Sequence, residues 1–182
     1  RLEPVRIARI EDDDRVRRTW VPLERVPEIV RETIVACEDR RFYSHMGLDP
    51  RSNLRAVLAN LRAGGVREGA STITQQLARG LWFGTRRTVT RKLWEMGAAV
   101  GLELALSKRQ ILEMYLNSVF WGRGHGGSIG CIAEAARYYC DAPVESLDVA
   151  DAALLAGLVP APNAASPFRN PELARTRRDM AL

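Results

Sequence analysis

Ala36-Cys37-Glu38-Asp39-Arg40-Arg41-Phe42-Tyr43-Ser44-His45-Met46-Gly47-Leu48-Asp49 is the stretch around which the chain is organised. It puts two adjacent carboxylates, two arginines, an aromatic pair and a histidine into a few turns, and Gly47 then breaks it. The apolar run Ile34-Val35-Ala36-Cys37 leads in, so Glu38 and Asp39 sit where a buried helix face meets something polar. A carboxylate in that position is a candidate general acid or base, because partial burial and nearby charge tune its affinity for protons. The same residues also fit a solvated helix end with a local Glu–Arg pair.

Outward from this stretch the pattern is helical. Pro27 suits the first turn of a helix running to about Phe42, with Ile29, Val30, Thr33, Ile34 and Cys37 as its apolar stripe. Asp49-Pro50 opens a helix over about 50–63, with Leu54, Val57, Leu58 and Leu61 on one face, and Gly64-Gly65 stops it. Ser71-Thr72 caps a helix to about Leu81, with Gln75 and Gln76 in its first turns. A long helix over 89–106 carries Leu93, Met96, Val100 and Leu104, and Ser107 caps another over about 108–117. Residues 118–130 are rich in glycine around His125 and read as irregular. Helices over 130–139 and 147–158 follow, the second buried, then a proline-marked strap and a last helix over 171–182. No run of alternating strands is visible, so the chain reads as mainly α.

The 182 residues fit one domain, and 46% hydrophobic content supports a core. A net charge of +5 points to an anionic partner. There is no glycine-rich phosphate loop and no zinc-type Cys/His spacing, and the sparse aromatics are not interleaved with basic runs, which argues against nucleic acid. Cys37, Cys131 and Cys140 make an odd count that reads as three small buried residues rather than a disulfide framework. No apolar run approaches the roughly 20 residues that cross a bilayer. The chain opens at Arg1 without Met and closes inside a helix, and so reads as a piece of a longer protein. Residues 1–19 read as a polar lead, and the domain proper as 20–182. Residues 80–88 mix Leu81, Trp82 and Phe83 with Arg86 and Arg87, a combination that suits a lipid interface.

Four strings, in order, carry a family likeness: Glu38-Asp-x-x-Phe42-x-x-His45-x-Gly47; Gly69-Ala-Ser71-Thr72-Ile-Thr-Gln75-Gln76; Arg91-Lys92-x-x-Glu95; and Lys108-x-x-Ile-Leu-Glu113-x-Tyr115-Leu-Asn117. Together they resemble the peptidoglycan glycosyltransferases, which comprise the monofunctional transglycosylases and the glycosyltransferase domains of class A penicillin-binding proteins. The likeness runs from about Trp20 to the last residue. It implies a lysozyme-like, two-lobed, mainly α fold, with a membrane-facing lobe at roughly 51–90 and a cleft between the lobes. It implies polymerisation of lipid II into glycan strands with inversion, undecaprenyl pyrophosphate leaving. It also implies Mg2+ or Mn2+ as a cofactor, although the sequence has no dedicated metal cage. The expected partners are lipid II, the nascent strand, the membrane surface and a cell-wall synthesis complex, on the outer face of the bacterial cytoplasmic membrane, with an N-terminal anchor.

By the same resemblance Glu38 is the base that deprotonates the acceptor 4-hydroxyl, with Asp39 and Arg40 beside it to orient it. Phe42 and His45 shape the wall of the site, or are simply packed. Arg91, Lys92 and Glu95 share one helix face at i, i+1 and i+4 and form either a surface ion-pair triad or a pyrophosphate clamp in which Glu95 holds the cations or helps bind a metal. Ser71, Thr72 and Gln76 fall in the donor cleft, and Arg87 aligns with a family cation. Arg79 stands where the family commonly has Lys, with the charge kept. Ala70 replaces a usual glycine, and Ser128-Ile129-Gly130-Cys131 departs from an aromatic–Gly step. Glu113, Tyr115 and Asn117 read as hydrogen-bonding ties between helices. A hydrolase using Glu38 as acid needs no pyrophosphate clamp, so the cations Arg79, Arg91 and Lys92 count against it. A module that binds lipid-linked precursors without turnover rests on Arg79 alone.

Overall fold

A computed structural model of the chain describes residues 19–52, 54–55, 62, 71–84, 88–124 and 127–182. The polar lead at 1–18, the glycine-rich 63–70, Arg87 and His125 lie outside them.

The described chain is mainly α. Helix α1 (Glu28–Glu38) starts from Pro27, whose fixed φ suits a helix entry, and buries Val30, Ile34 and Val35. It ends at Glu38, short of the expected Phe42. Asp39 leaves the helix at φ −158° because its side chain has distant partners to reach. The stripe is correspondingly narrower than expected, with Ile29 and Cys37 exposed. The next helix is helical at its described positions 50–52, 54–55 and 62. Leu54 there is exposed rather than buried, and Val57, Leu58 and Leu61 lie outside the described residues.

Helix α2 (Ile73–Ala78) has the cap its sequence suggests. Thr72 Oγ1 accepts from the Gln75 N–H, and Gln75 Oε1 accepts from the Thr72 N–H, each at 3.1 Å. The chain then widens into a single π turn, Arg79–Phe83, and stops at Gly84. Helix α3 (Val89–Ala105) differs most from expectation. Its buried face is Glu95, Ala99, Leu102 and Glu103, while Leu93 and Leu104 face outward. The inversion has a physical cause: both buried carboxylates find cationic or hydroxyl partners, which removes the cost of burying them alone. Helix α4 (Lys108–Leu116) begins at a second capping box, Ser107 with Gln110, and buries Ile111, Leu112, Tyr115 and Leu116.

Glu113 and Asn117 act as the expected ties. Glu113 accepts from Trp20 Nε1 and the Leu23 N–H, while Asn117 both accepts from and donates to the backbone of Val21. The entry segment is thereby clipped to α4. The glycine-rich 118–130 is more regular than expected. It holds an antiparallel hairpin, β1 (Gly122–Gly124) with β2 (Gly127–Ile129), in the register Gly122↔Ile129 and Gly124↔Gly127. Strands this short have no alternating pattern to read.

Helices α5 (Ile132–Cys140), α6 (Val149–Leu158) and α7 (Pro171–Ala181) complete the chain. The apolar α6 buries Ala152, Ala153, Leu155, Ala156 and Leu158, and packs between α1 and α7. Gly157 makes that packing close, because a Cβ there would lie 3.1 Å from the Arg177 backbone and Cβ. This contact sets Arg177 of α7 across from the end of α1.

Candidate active site

The site is built from the end of α1 outward. Asp39, freed from the helix, accepts at Oδ2 from the Ile73 N–H (3.0 Å) and holds His45 Nε2 at 2.9 and 3.0 Å from its two oxygens. The Gly47 N–H donates to His45 Nδ1, so the ring carries its proton on Nε2 and donates it to Asp39. Gly47 adopts φ +81°, and a Cβ there would meet the Ala99 carbonyl oxygen at 2.9 Å. Its own carbonyl accepts from Thr72 Oγ1 at 2.7 Å. The knot of Asp39, His45, Gly47 and Thr72 therefore fixes the N-terminus of α2 against the C-terminus of α1.

That placement brings Gln76 to Glu38. Gln76 Nε2 donates to Glu38 Oε2 at 2.8 Å, and Gln76 Oε1 accepts from the Tyr115 hydroxyl at 3.2 Å. Among the described residues the Glu38 carboxylate has this one hydrogen-bond donor. Burial raises its pKa above the usual carboxylate range, and the charge of Asp39 adds to the rise. The Gln76 hydrogen bond and the charges of Arg79 and Arg177 pull the other way without cancelling it.

Glu38 lines a cleft of about 660 Å³ together with Cys37, Asp39, Arg40, Ser71 and Arg177. Cys37 was expected to be buried, but α1 ends at the cleft and exposes it. Partial desolvation at the cleft edge still raises its thiol pKa, with the Glu38 charge adding to the effect. Cys131 is buried and Cys140 partly so, and all three thiols are unbridged.

The second carboxylate, Glu95, is fully buried. Arg91 Nη1 donates to its Oε2 at 2.6 Å and Lys92 Nζ to its Oε1 at 2.7 Å. Lys92 Nζ also donates to Ser71 Oγ at 2.9 Å, which joins this cluster to the wall of the Glu38 cleft. A surface triad is therefore the wrong description, since the acid is enclosed and holds two cations in place.

Of the other residues singled out in the sequence, Thr72 is buried with its hydroxyl spent on the cap and on Gly47. Phe42 is fully buried beneath Lys108 Nζ, 4.5 Å from the ring centroid, and His45 is buried against Asp39. They brace the wall from behind, in keeping with the packed reading of the two offered by the sequence. Asp39 likewise acts through the α2 terminus, with no hydrogen bond to Glu38. Lys108 continues the brace, donating to the His45 carbonyl and to Glu103, which also accepts from Thr74 Oγ1. Glu103 and Arg177 carried no local signal, because each depends on which helices meet, whereas Tyr115, read as a tie between helices, makes one to Gln76.

The donor set does not fit a protein-held divalent ion. Among the described residues no three His, Cys, Asp or Glu side chains cluster for one. Both Glu95 oxygens are taken by cations, and Asp39 is taken by His45 and the backbone. No described helix is long and apolar enough to cross a membrane.

The family model described as Transglycosylase matches residues 4–182. The chain is 40% identical over 182 residues to penicillin-binding protein 1B of Escherichia coli, all of this chain and 22% of that protein. It is 43% identical over 166 residues to penicillin-binding protein 1A of Neisseria flavescens, 91% of this chain and 20% of that one. Penicillin-binding protein 1B of Haemophilus influenzae is 37% identical over 182 residues, 23% of its length. The chain thus spans about a fifth of the curated relatives it matches. With the four motifs gathered around Glu38 and Glu95, the chain belongs to the transglycosylase family, as a peptidoglycan glycosyltransferase domain.

Proposed function

We propose that this chain polymerises lipid II into glycan strands, with Glu38 as general base and the cations around Glu95 holding the departing pyrophosphate. The observation that carries the reading is the Glu38 carboxylate, set in the cleft wall, desolvated and hydrogen-bonded by an uncharged amide. Desolvation raises its affinity for a proton, as a base must have, while Arg79 and Arg177 keep the charged form accessible. In the step, Glu38 takes the proton of the acceptor 4-hydroxyl. The oxygen bonds the donor anomeric carbon, and the bond from that carbon to the pyrophosphate oxygen breaks with its electron pair. A single displacement inverts the centre.

The negative charge that develops on the leaving group calls for fixed cations, and Arg91 and Lys92 are pre-positioned by Glu95. Arg79, beside Glu38, is proposed as a further pyrophosphate cation, and Arg79→Ala is expected to weaken polymerisation. Arg87 stays a proposal from resemblance. The divalent ion is proposed as a companion of the substrate pyrophosphate rather than of a protein cage. Chelation would then lower turnover and leave the melting temperature unchanged.

Leu81, Trp82, Val89, Leu93, Trp94 and Leu104 are exposed apolar side chains on the π turn and α3. An apolar groove of about 510 Å³ between Trp82, Phe83, Ala98 and Leu106 lies with them. We propose this face as the one that meets the membrane and the lipid tails; the outer face of the cytoplasmic membrane stays a proposal from resemblance. A hydrolase gains nothing from the site: among the described residues lining the cleft, Asp39 and Asp49 are both engaged in hydrogen bonds, leaving no second carboxylate to activate water.

The test is incubation of the chain with labelled lipid II in detergent with Mg2+. Long glycan products support the reading. Shortening of purified peptidoglycan without polymer, or binding without turnover, overturns it.

A further inference from the structure

The link behind Glu38 has a polarity. An ionised carboxylate only accepts hydrogen bonds, so the Gln76 side chain must present its Nε2 to Glu38, as it does at 2.8 Å. Its Oε1 then faces Tyr115, whose hydroxyl donates to it at 3.2 Å. Tyr115 is 1% exposed, so its hydroxyl has no bulk water to donate to in place of that amide oxygen. A flipped amide would aim Oε1 at the carboxylate and ask the phenol to accept. A phenol donates better than it accepts, so the buried hydroxyl disfavours the flip. Donation to Oε1 also polarises the amide and strengthens its N–H toward Glu38.

We propose that Tyr115 is a positioning residue for Glu38, its phenol locking the Gln76 amide so that the N–H faces the base. The proposal rests on the reading of Glu38 as that base. Cys37, Arg40 and Asp49 line the same cleft as the carboxylate without hydrogen-bonding to it, and Arg55 lines it too. Asp39 follows it on its own strand of chain, Gln76 comes from α2, Arg79 from the π turn, Tyr115 from α4 and Arg177 from α7. From α6 the cleft receives only Ala156 and Gly157, which carry no charge. Arg79 and Arg177 act on Glu38 by charge, and Gln76 supplies the directional contact. Burial and the nearby Glu38 charge raise the pKa of Tyr115 well above the usual range, so it remains a donor throughout the working pH range.

The test is carbon-13 carboxyl NMR titration of Glu38 in the full chain, beside the pH profile of lipid II polymerisation. The variants are Tyr115→Phe, Gln76→Met and the pair together. In Tyr115→Phe the Glu38 midpoint moves upward. Polymerisation falls about three- to tenfold on the acidic side and recovers at alkaline pH. A hydroxyl with only a structural role would lower the rate evenly at all pH values. Because Tyr115 acts through Gln76, its removal adds no further shift in the Gln76→Met background.

An unmoved Glu38 midpoint in Tyr115→Phe overturns the proposal, as does an equal shift when Gln76 is already Met. Should Tyr115→Phe not fold, Gln76→Met carries the test, and an unmoved midpoint there overturns it. The titration reads Glu38 without turnover. Full activity in Glu38→Gln would therefore overturn the base reading alone and leave the Tyr115 result to be judged separately.

Discussion

Glu38 and Glu95 are the same side chain in opposite surroundings. Glu38 ends a helix at the edge of a cleft, takes one hydrogen bond from a neutral amide, and has its cations at one remove. Glu95 sits in mid-helix, fully enclosed, with a guanidinium on one oxygen and an ammonium on the other. The first has a carboxylate oxygen left for a proton. The second has both oxygens occupied and holds Arg91 and Lys92, the pair proposed to meet the phosphate. The carboxylate's partners, more than its burial, assign the role.

Glu38→Gln should make the largest difference. It keeps the shape and removes the proposed base, and turnover should drop by about 10²- to 10⁴-fold in a polymerisation assay. Glu95→Gln should sharpen the contrast by failing in another way. It unties two cations and should lower stability by about 1–3 kcal/mol in urea unfolding, a figure discounted because Lys92 is partly exposed. It should also raise the donor KM. If Glu95→Gln lost only kcat and kept full stability, the division of labour would be broken.

Gly47→Ala tests the knot that sets Glu38 against α2. A left-handed residue whose Cβ meets Ala99 should cost about 1–3 kcal/mol in thermal or urea unfolding. The smallest effect concerns pH. Glu38 holds its proton to higher pH in the folded state than in the unfolded one, so its contribution favours folding at low pH. That contribution is lost as pH rises through the folded-state value. Glu38→Gln should therefore melt higher than the wild type near neutrality, with the gap closing in acid.

What the sequence made legible was local. The capping boxes at Thr72–Gln75 and Ser107–Gln110 mark their helices from a few residues. The four motifs pointed to Glu38, Gln76 and the Arg91–Lys92–Glu95 set. The end of α1 was hidden because Asp39's partners, His45 and the Ile73 N–H, lie beyond the helix. The face of α3 was misread because apolar residues were assigned inward, whereas Glu95 and Glu103 go in with their partners and Leu93 and Leu104 stay out. Arg177 reaches the cleft only because Gly157 lets α7 close on α6. The Arg91–Lys92–Glu95 spacing was readable and only its burial was missed; the contacts of Asp39, Glu103 and Arg177 with other elements have no spacing that a one-dimensional reading can find.

The most direct measurement is lipid II binding and polymerisation, compared side by side in the wild type and Glu38→Gln. The account predicts that the variant binds lipid II as the wild type does, through Arg91 and Lys92, and forms no glycan chains. Polymer from Glu38→Gln at the wild-type rate would remove Glu38 from its role. Loss of binding together with turnover would mean that Glu38 holds the substrate rather than activating it, and the contrast with Glu95 would fall.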